Sequence, residues 1–339
     1  MRASGAALVA VFLLTGCTPL VARMVARRVS NQQLSIESFH GHLVERHVLL
    51  DDPQADLVKD VWYQKLSKVR VEVIAPAALA GQLFVYDGET VSLWWPATRF
   101  GLRITGLPAP SEDDWKSLVR EQTLSGLRQF RYSRIGDATV AGHEATRWVV
   151  EPRDAAPYRY GYDSWMDQER GIPLRLTVFE SPGTPWYEMQ YESVDYDVPL
   201  PARGFTLDYP ADATVLDWNL TGKGVTLDEA NKQLDLTLVA PRSLPDGYEV
   251  QRVILDHEAV PNATLVMGSG PHWLSLTEMR QSVDVVPATG KQVTVGDCTG
   301  YMNLLGSYTT LSWRRHGTSL MLLSNLTYPE LVEIAASVE

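Results

Sequence analysis

From residue 38 onward, hydrophobic and polar positions alternate along much of the chain, the period-two pattern of half-buried strands. Residues 39–50 form one such run, closed by the turn sequence Asp51-Asp52-Pro53. Residues 58–74 read as one long strand, with Val69, Val71 and Val73 on one face and Arg70 and Glu72 on the other. Residues 83–86 and 91–95 flank Asp87-Gly88 and make a hairpin, since this pair tolerates the positive φ of a tight turn. Further strands are predicted over 130–135, 139–151, 158–167, 174–180 and 186–196, with Gly171-Ile172-Pro173 as a turn. The spacing becomes helical after Ser111-Glu112-Asp113-Asp114, a capping box followed by Leu118, Leu124 and Leu127.

Pro199-Leu200-Pro201 and Arg203-Gly204 interrupt the pattern, and residues 205–209 read as a last strand beyond them. A smaller unit follows. Thr226-Leu227-Asp228-Glu229 is a capping box for a short helix. Strands are predicted at 234–239, 248–256, 263–268, 273–278, 291–295, 298–304, 308–315 and 318–324. Thr327-Tyr328-Pro329-Glu330 opens a terminal helix, with Pro329 in its first turn and Leu331, Ile334, Ala335 and Val338 along one stripe. Helices and strands in this order predict an α+β chain.

The N-terminus departs from both periods. Arg2 precedes an apolar run over 6–14, which ends in Leu14-Thr15-Gly16-Cys17. A positive start, a short apolar stretch and small residues describe a secretory signal. The run falls short of the roughly 20 apolar residues a spanning helix needs. Leu14-Thr15-Gly16-Cys17 resembles the lipobox of bacterial lipoproteins, which implies cleavage before Cys17 and acylation (palmitate among the chains) of that residue. The family's inner-membrane retention signal, an Asp after the Cys, is replaced by Thr18, so the resemblance favours an outer membrane facing the periplasm. Residues 19–33 follow as a short tether helix, with Leu20, Val21, Met24, Val25 and Val29 near helical spacing and Arg23, Arg27 and Arg28 between them.

Composition narrows the classes. The chain has 339 residues, 45% of them hydrophobic and 21% charged, ordinary values for a globular protein of one large or two modest domains. A formal net charge of −11 argues against nucleic acid as a partner. Cys298 is the one cysteine besides Cys17, so with Cys17 acylated no intramolecular disulfide can form; Cys298 is expected as a small buried apolar residue. Ten Trp and fourteen Tyr suggest broad aromatic surfaces or a ligand cavity.

No catalytic motif is present: the chain lacks G-x-S-x-G, a P-loop, H-E-x-x-H and a zinc-type Cys pair. No enzymatic activity, cofactor or resident metal is expected. His40 and His42 share a strand face, and a metal would need a third ligand such as Glu45; exposed strand histidines are the simpler reading. Glu192, Asp195 and Asp197 cluster near a strand end and read as a solvated group. The candidate site is instead a set of alternating apolar positions: Val71, Val73, Leu83, Val85, Leu93, Trp95, Trp148, Val150, Leu174, Leu176, Tyr187 and Met189. Periodicity is the same for a filled core and for a wall around an acyl chain.

The ordered set of motifs resembles a known group. Ile36-Glu37-Ser38-Phe39 leads into a strand; Val69-Arg70-Val71-Glu72-Val73, Tyr86-Asp87-Gly88, Trp94-Trp95-Pro96, Trp165-Met166-Asp167 and Gly171-Ile172-Pro173-Leu174-Arg175 follow. Together they resemble the half-barrel shared by the lipoprotein carriers LolA and LolB and the envelope-stress regulator RseB. This implies a curved antiparallel sheet that wraps short helices around an apolar cavity. Leu227-Asp228-Glu229-Ala230, Val239-Ala240-Pro241 and Leu244-Pro245-Asp246-Gly247-Tyr248 resemble the small second domain of RseB-like proteins. The implied layout is a signal peptide at 1–16, an anchor and tether at 17–33, a half-barrel at 34–212 and a small α+β domain at 213–339. The implied function is binding of a lipid, acyl chain or lipoprotein in envelope lipoprotein handling or sensing. Binding to an anti-sigma factor through the C-terminal domain, or a structural role without a small ligand, are the alternatives.

Overall fold

The computed structural model describes residues 31–33, 35–47, 56–65, 68–106, 111–113, 116–117, 130–153, 161–181, 183–199, 204–219, 224–234, 238–245, 248–256, 262–269, 272–279, 291–305, 308–324, 326 and 328–338. Cys17 and most of the expected tether lie outside these residues, as does most of the helix expected after Ser111. Residues 31–33 are helical, and Gln32 donates through Nε2 to the carbonyl of Gln168 at 3.1 Å.

The larger sheet is built from β1 (Ser38–His47), β2 (Leu57–Gln64), β3 (Lys68–Ala75), β4 (Leu83–Tyr86), β5 (Val91–Trp95), β6 (Phe100–Thr105), β7 (Phe130–Val140), β8 (His143–Pro152), β9 (Gly161–Asp167), β10 (Pro173–Ser181), β11 (Thr184–Tyr196) and β12 (Thr214–Asn219). Their order is β12-β6-β5-β4-β3-β2-β1-β11-β10-β9-β8-β7, so the sheet is open, with edges at β12 and β7. The smaller sheet holds β13 (Glu249–Asp256), β14 (Asn262–Ser269), β15 (His272–Met279), β16 (Lys291–Val295), β17 (Cys298–Leu305), β18 (Tyr308–Arg315) and β19 (Thr318–Ser324), ordered β13-β14-β15-β19-β18-β17-β16. Two α-helices accompany it, α1 (Leu227–Leu234) and α2 (Tyr328–Ala336).

The described chain is therefore mostly β, and α+β fits it only loosely. The single strand expected over 58–74 is a hairpin of β2 and β3, broken after Gln64, where the Lys65 amide turns back to the Glu37 carbonyl at 2.8 Å. The strand expected over 205–209 is not one. That segment crosses the larger sheet: Arg70 Nη1 donates to the Thr206 carbonyl at 3.2 Å, and the Tyr209 hydroxyl to the Leu102 carbonyl at 2.8 Å. The next strand, β12, instead pairs parallel with β6, so the sheet is not wholly antiparallel and runs past residue 212. Residues 238–240, expected within a strand, are irregular because their amides find other acceptors. Leu238 donates to Asn231 Oδ1 and Val239 to Glu278 Oε1, at 2.7 and 2.8 Å.

Buried contacts join the two sheets. Phe84, Leu93, Leu102, Ile104 and Trp218 share a cluster with Ile254, Val266, Met279, Met321 and Leu323 of the smaller sheet. The other face of that sheet packs Leu265, Leu276, Leu311, Leu320 and Leu322 against Leu331, Ile334 and Ala335 of α2. β19 lies at the centre, covered on both sides, which explains its unbroken apolar run Leu320-Met321-Leu322-Leu323.

Candidate functional site

Directly paired residues in neighbouring strands point to the same side of a sheet. Applied to the larger sheet, this rule gathers ten of the twelve candidate residues on one face. Val71 pairs with Val61 and Phe84, Phe84 with Leu93, and Leu93 with Leu102; Val73 and Trp95 share that parity. Across the sheet, Leu176 pairs with Met189 and with Ser164, Ser164 with Trp148, and Val150 with Tyr162. Leu174 and Tyr187 belong to the same face by alternation. β1 closes the path, since Leu43 pairs with both Lys59 and Tyr191.

Leu83 and Val85 are the two exceptions. They pair with Glu72 and Arg70, on the opposite face. Alternation misleads here because both faces of β4 are covered: Phe84 and Tyr86 occupy the stripe face, and Val85 is buried on the other. The hairpin register was the missed signal. Asp87-Gly88 fixes Tyr86 opposite Val91 and Phe84 opposite Leu93, which assigns Phe84 and Tyr86 to the stripe.

The stripe divides by burial. Val73, Leu93, Val150, Leu174 and Tyr187 are buried, while Val71, Trp95, Trp148, Leu176 and Met189 are half-buried. Leu93, with Val71 and Trp95 against it, packs on the smaller sheet. Leu174 forms a separate cluster with Leu43, Val61, Ala145, Tyr191 and Val194. Trp148, on β8, is the half-buried aromatic of the other arm.

Polar groups punctuate this face. Lys59 forms an ion pair with Glu45 on the adjoining strand, and both side chains are mostly buried. Burial pushes the Tyr187 hydroxyl well above the ordinary phenol range; the Glu45 carboxylate beside it, which accepts its hydrogen bond, pushes the same way. Tyr191 is raised by burial and by Glu45. Tyr132 and Tyr162 hydrogen-bond to each other near the β7 edge, both raised chiefly by burial. These phenols are neutral at physiological pH. The face thus offers an apolar wall with neutral hydroxyls and one internally compensated ion pair.

Gly41 keeps β1 close to the wall. A Cβ there would lie 2.5 Å from Tyr191 Cε1, so only glycine lets that ring lie across the strand.

The histidines lie on the opposite face. His42 Nδ1 is 2.7 Å from Asp60 Oδ1, His40 Nε2 is 3.5 Å from the same oxygen, and His40 stacks on Trp62. They are half-buried rather than free in solvent. Glu45, the third ligand suggested for a metal, is on the other side of the sheet. Among the described residues no group of three or more His, Cys, Asp or Glu is arranged to hold a metal ion. Glu192, Asp195 and Asp197 are exposed, and Asp197 pairs with Arg170 at 3.1 Å. Cys298, expected to be buried, is half-buried at the start of β17, after the tight turn at Gly296-Asp297; burial and the Asp297 carboxylate push its thiol up. Among the described residues no helix is long and apolar enough to cross a membrane.

The family model of the MucB/RseB N-terminal domain matches residues 83–206, which hold eight of the ten stripe residues, all but Val71 and Val73, with Leu83 and Val85 among the matched positions off the stripe. No curated protein matches the chain. Among solved structures, MucB is 17% identical, with 94% of this chain and 97% of that one covered and a TM-score of 0.49. The MucA/MucB complex of Pseudomonas aeruginosa gives 17%, 94%, 98% and 0.47 in the same order. A LolA superfamily protein from Nitrosomonas europaea is 12% identical over 56% of this chain and 99% of its own, with a TM-score of 0.28. Residues 83–206 thus match the MucB/RseB N-terminal domain, within the group that the motif order resembles.

Proposed function

We propose that this protein is a non-enzymatic envelope lipoprotein, anchored through acylated Cys17 to the periplasmic side of an outer membrane, that binds an acyl-bearing ligand on the larger sheet. The ligand is a lipid or the lipid-modified end of another lipoprotein. The observation that carries this reading is the apolar stripe between Val71 and Trp148, drawn from strands distant in sequence and lying largely within the residues that match the MucB/RseB domain. Apolar surface suits acyl chains, since burial contributes about 25 cal/mol per Å². The half-buried Trp148 is the accessible part, because Leu93 and Tyr187 are buried in clusters with the smaller sheet and Leu176 and Met189 pack against the second of these.

Mild detergent extraction followed by mass spectrometry tests both halves. The expected results are an N-terminal Cys17 carrying acyl chains and a co-purified acyl lipid. An unmodified N-terminus rules out the anchor. Delipidated protein that takes up no fatty-acyl probe rules out the ligand.

The second reading is a regulator that docks the periplasmic part of an anti-sigma factor through residues 213–339, as a second domain. The MucB/RseB family match favours it, as MucB is seen in complex with MucA. Co-purification with such a factor's periplasmic segment, lost when residues 224–339 are removed while the larger sheet, β12 included, remains folded, would establish this reading. Unchanged binding would exclude it.

A further inference from the structure

The face opposite the stripe carries a feature that neither acyl binding nor anchoring uses. Arg147, Trp165 and Arg175 stand opposite one another on β8, β9 and β10. The Arg147 guanidinium lies 5.0 Å from the Trp165 ring centroid and that of Arg175 lies 4.5 Å from it. One indole is thus approached by cations from both flanking strands. Like charges so close repel each other, and the ring quadrupole offsets only part of that.

Counter-charge is incomplete. Asp163 accepts from Arg147 Nη2 at 2.6 Å. Arg147 Nε is buried without a hydrogen-bond partner. Arg175 is exposed and, among the described residues, its contact is the indole face rather than a carboxylate. The row therefore holds two guanidiniums against one carboxylate, in a chain whose net charge is −11. The Arg175 guanidinium, 4.5 Å from the ring centroid, carries a planar N–H fork that matches a carboxylate bidentately.

An exposed apolar residue lies on the neighbouring strand. Ile135 is 54% exposed, at the register shift between Arg134 and Gly136, and Gly136 pairs with Arg147. Tryptophan and arginine beside an exposed aliphatic residue match the composition of energetic centres in protein interfaces. β7, which bears Ile135, is also a sheet edge.

We propose that the Arg147–Trp165–Arg175 row is a docking site for an extended, carboxylate-bearing segment of a partner protein. An acid side chain meets the Arg175 fork, and a neighbouring apolar side chain covers Ile135. A membrane surface fits less well. Adhesion to anionic lipid draws on clusters of about four to eight basic residues, and two stand here in an acidic chain.

The test uses the full chain and a fluorescent octapeptide of alternating Glu and Leu, read by anisotropy, with a Gln-Leu octapeptide as reference. The Glu-Leu peptide is expected to bind, more weakly as salt rises, and Arg175→Ala is expected to weaken it about tenfold. Arg175→Lys, which keeps the charge but not the fork, is expected to weaken it several-fold. Arg99→Ala, at an exposed cation paired with Asp212, leaves binding unchanged. Matching circular dichroism and melting temperature show that each variant is folded. Absence of binding, equal binding of the Gln-Leu peptide, or wild-type affinity in folded Arg175→Ala would overturn the proposal. So would Arg175-dependent binding only to vesicles of equal phosphatidylcholine and phosphatidylglycerol.

Discussion

At the scale of single residues, close contacts and burial decide what is tolerated. Gly101 sits beneath Tyr209, whose Cε1 would be 2.4 Å from a Cβ at that position. Gly101→Ala must therefore move the ring and disturb its bond to the Leu102 carbonyl and its contact with Arg103. The expected cost is about 1–3 kcal/mol in urea unfolding. In a Tyr209→Ala background the cost should largely disappear; an undiminished cost would place the strain elsewhere. Glu278 supplies a pH signature. Burial pushes its carboxyl up to about 8, although the Val239 amide opposes this. The folded chain then keeps a proton that the unfolded chain releases above the ordinary carboxylate range. Stability should fall as pH rises from about 4.5 to about 8 and level off beyond. Glu278→Gln keeps an acceptor for Val239 and should flatten that slope, gaining about 1–3 kcal/mol at pH 8. Parallel pH curves for the two proteins would show that Glu278 titrates normally.

At the scale of elements, α1 depends on its start. The Thr226 amide donates to Glu229 Oε2 at 2.9 Å and the Glu229 amide to Thr226 Oγ1 at 3.2 Å, the reciprocal capping box. Thr226→Ala is expected to cost about 1 kcal/mol, and Thr226→Ser close to nothing, by chemical denaturation. That box was legible because it is local, as were the Asp87-Gly88 hairpin and the strands of the smaller sheet. β16, β18 and β19 take the bounds read from alternation alone. Non-local cover was not legible. Nothing near Val85 in the sequence announces the cover that residues 205–210 bring to its face of the sheet, so alternation alone gives β4 the wrong parity. The parallel pairing of β12 with β6 likewise joins segments more than a hundred residues apart. Ten stripe residues could be found from alternation, whereas the Arg147–Trp165–Arg175 row needs the register of three strands before its members meet.

At the scale of the whole molecule, two open sheets share a buried cluster, and that cluster occupies one arm of the stripe. Leu102 is fully buried in it, so Leu102→Ala should cost about 2–4 kcal/mol. It should also lower the unfolding midpoint of both sheets together; separate transitions would show that they fold independently. Tyr187, with Leu176 and Met189 against it, packs into the other core of the smaller sheet, so the accessible part of the stripe is the stretch around Trp148, where an acyl ligand is proposed to lie. The most direct test is photo-cross-linking of the full, delipidated protein with a diazirine-bearing fatty acid, followed by peptide mapping. Label concentrated in the peptide spanning residues 145–150, and competed away by unlabelled fatty acid, is the predicted result. Label that is absent, not competed, or confined to residues 249–338 would contradict acyl binding on the larger sheet.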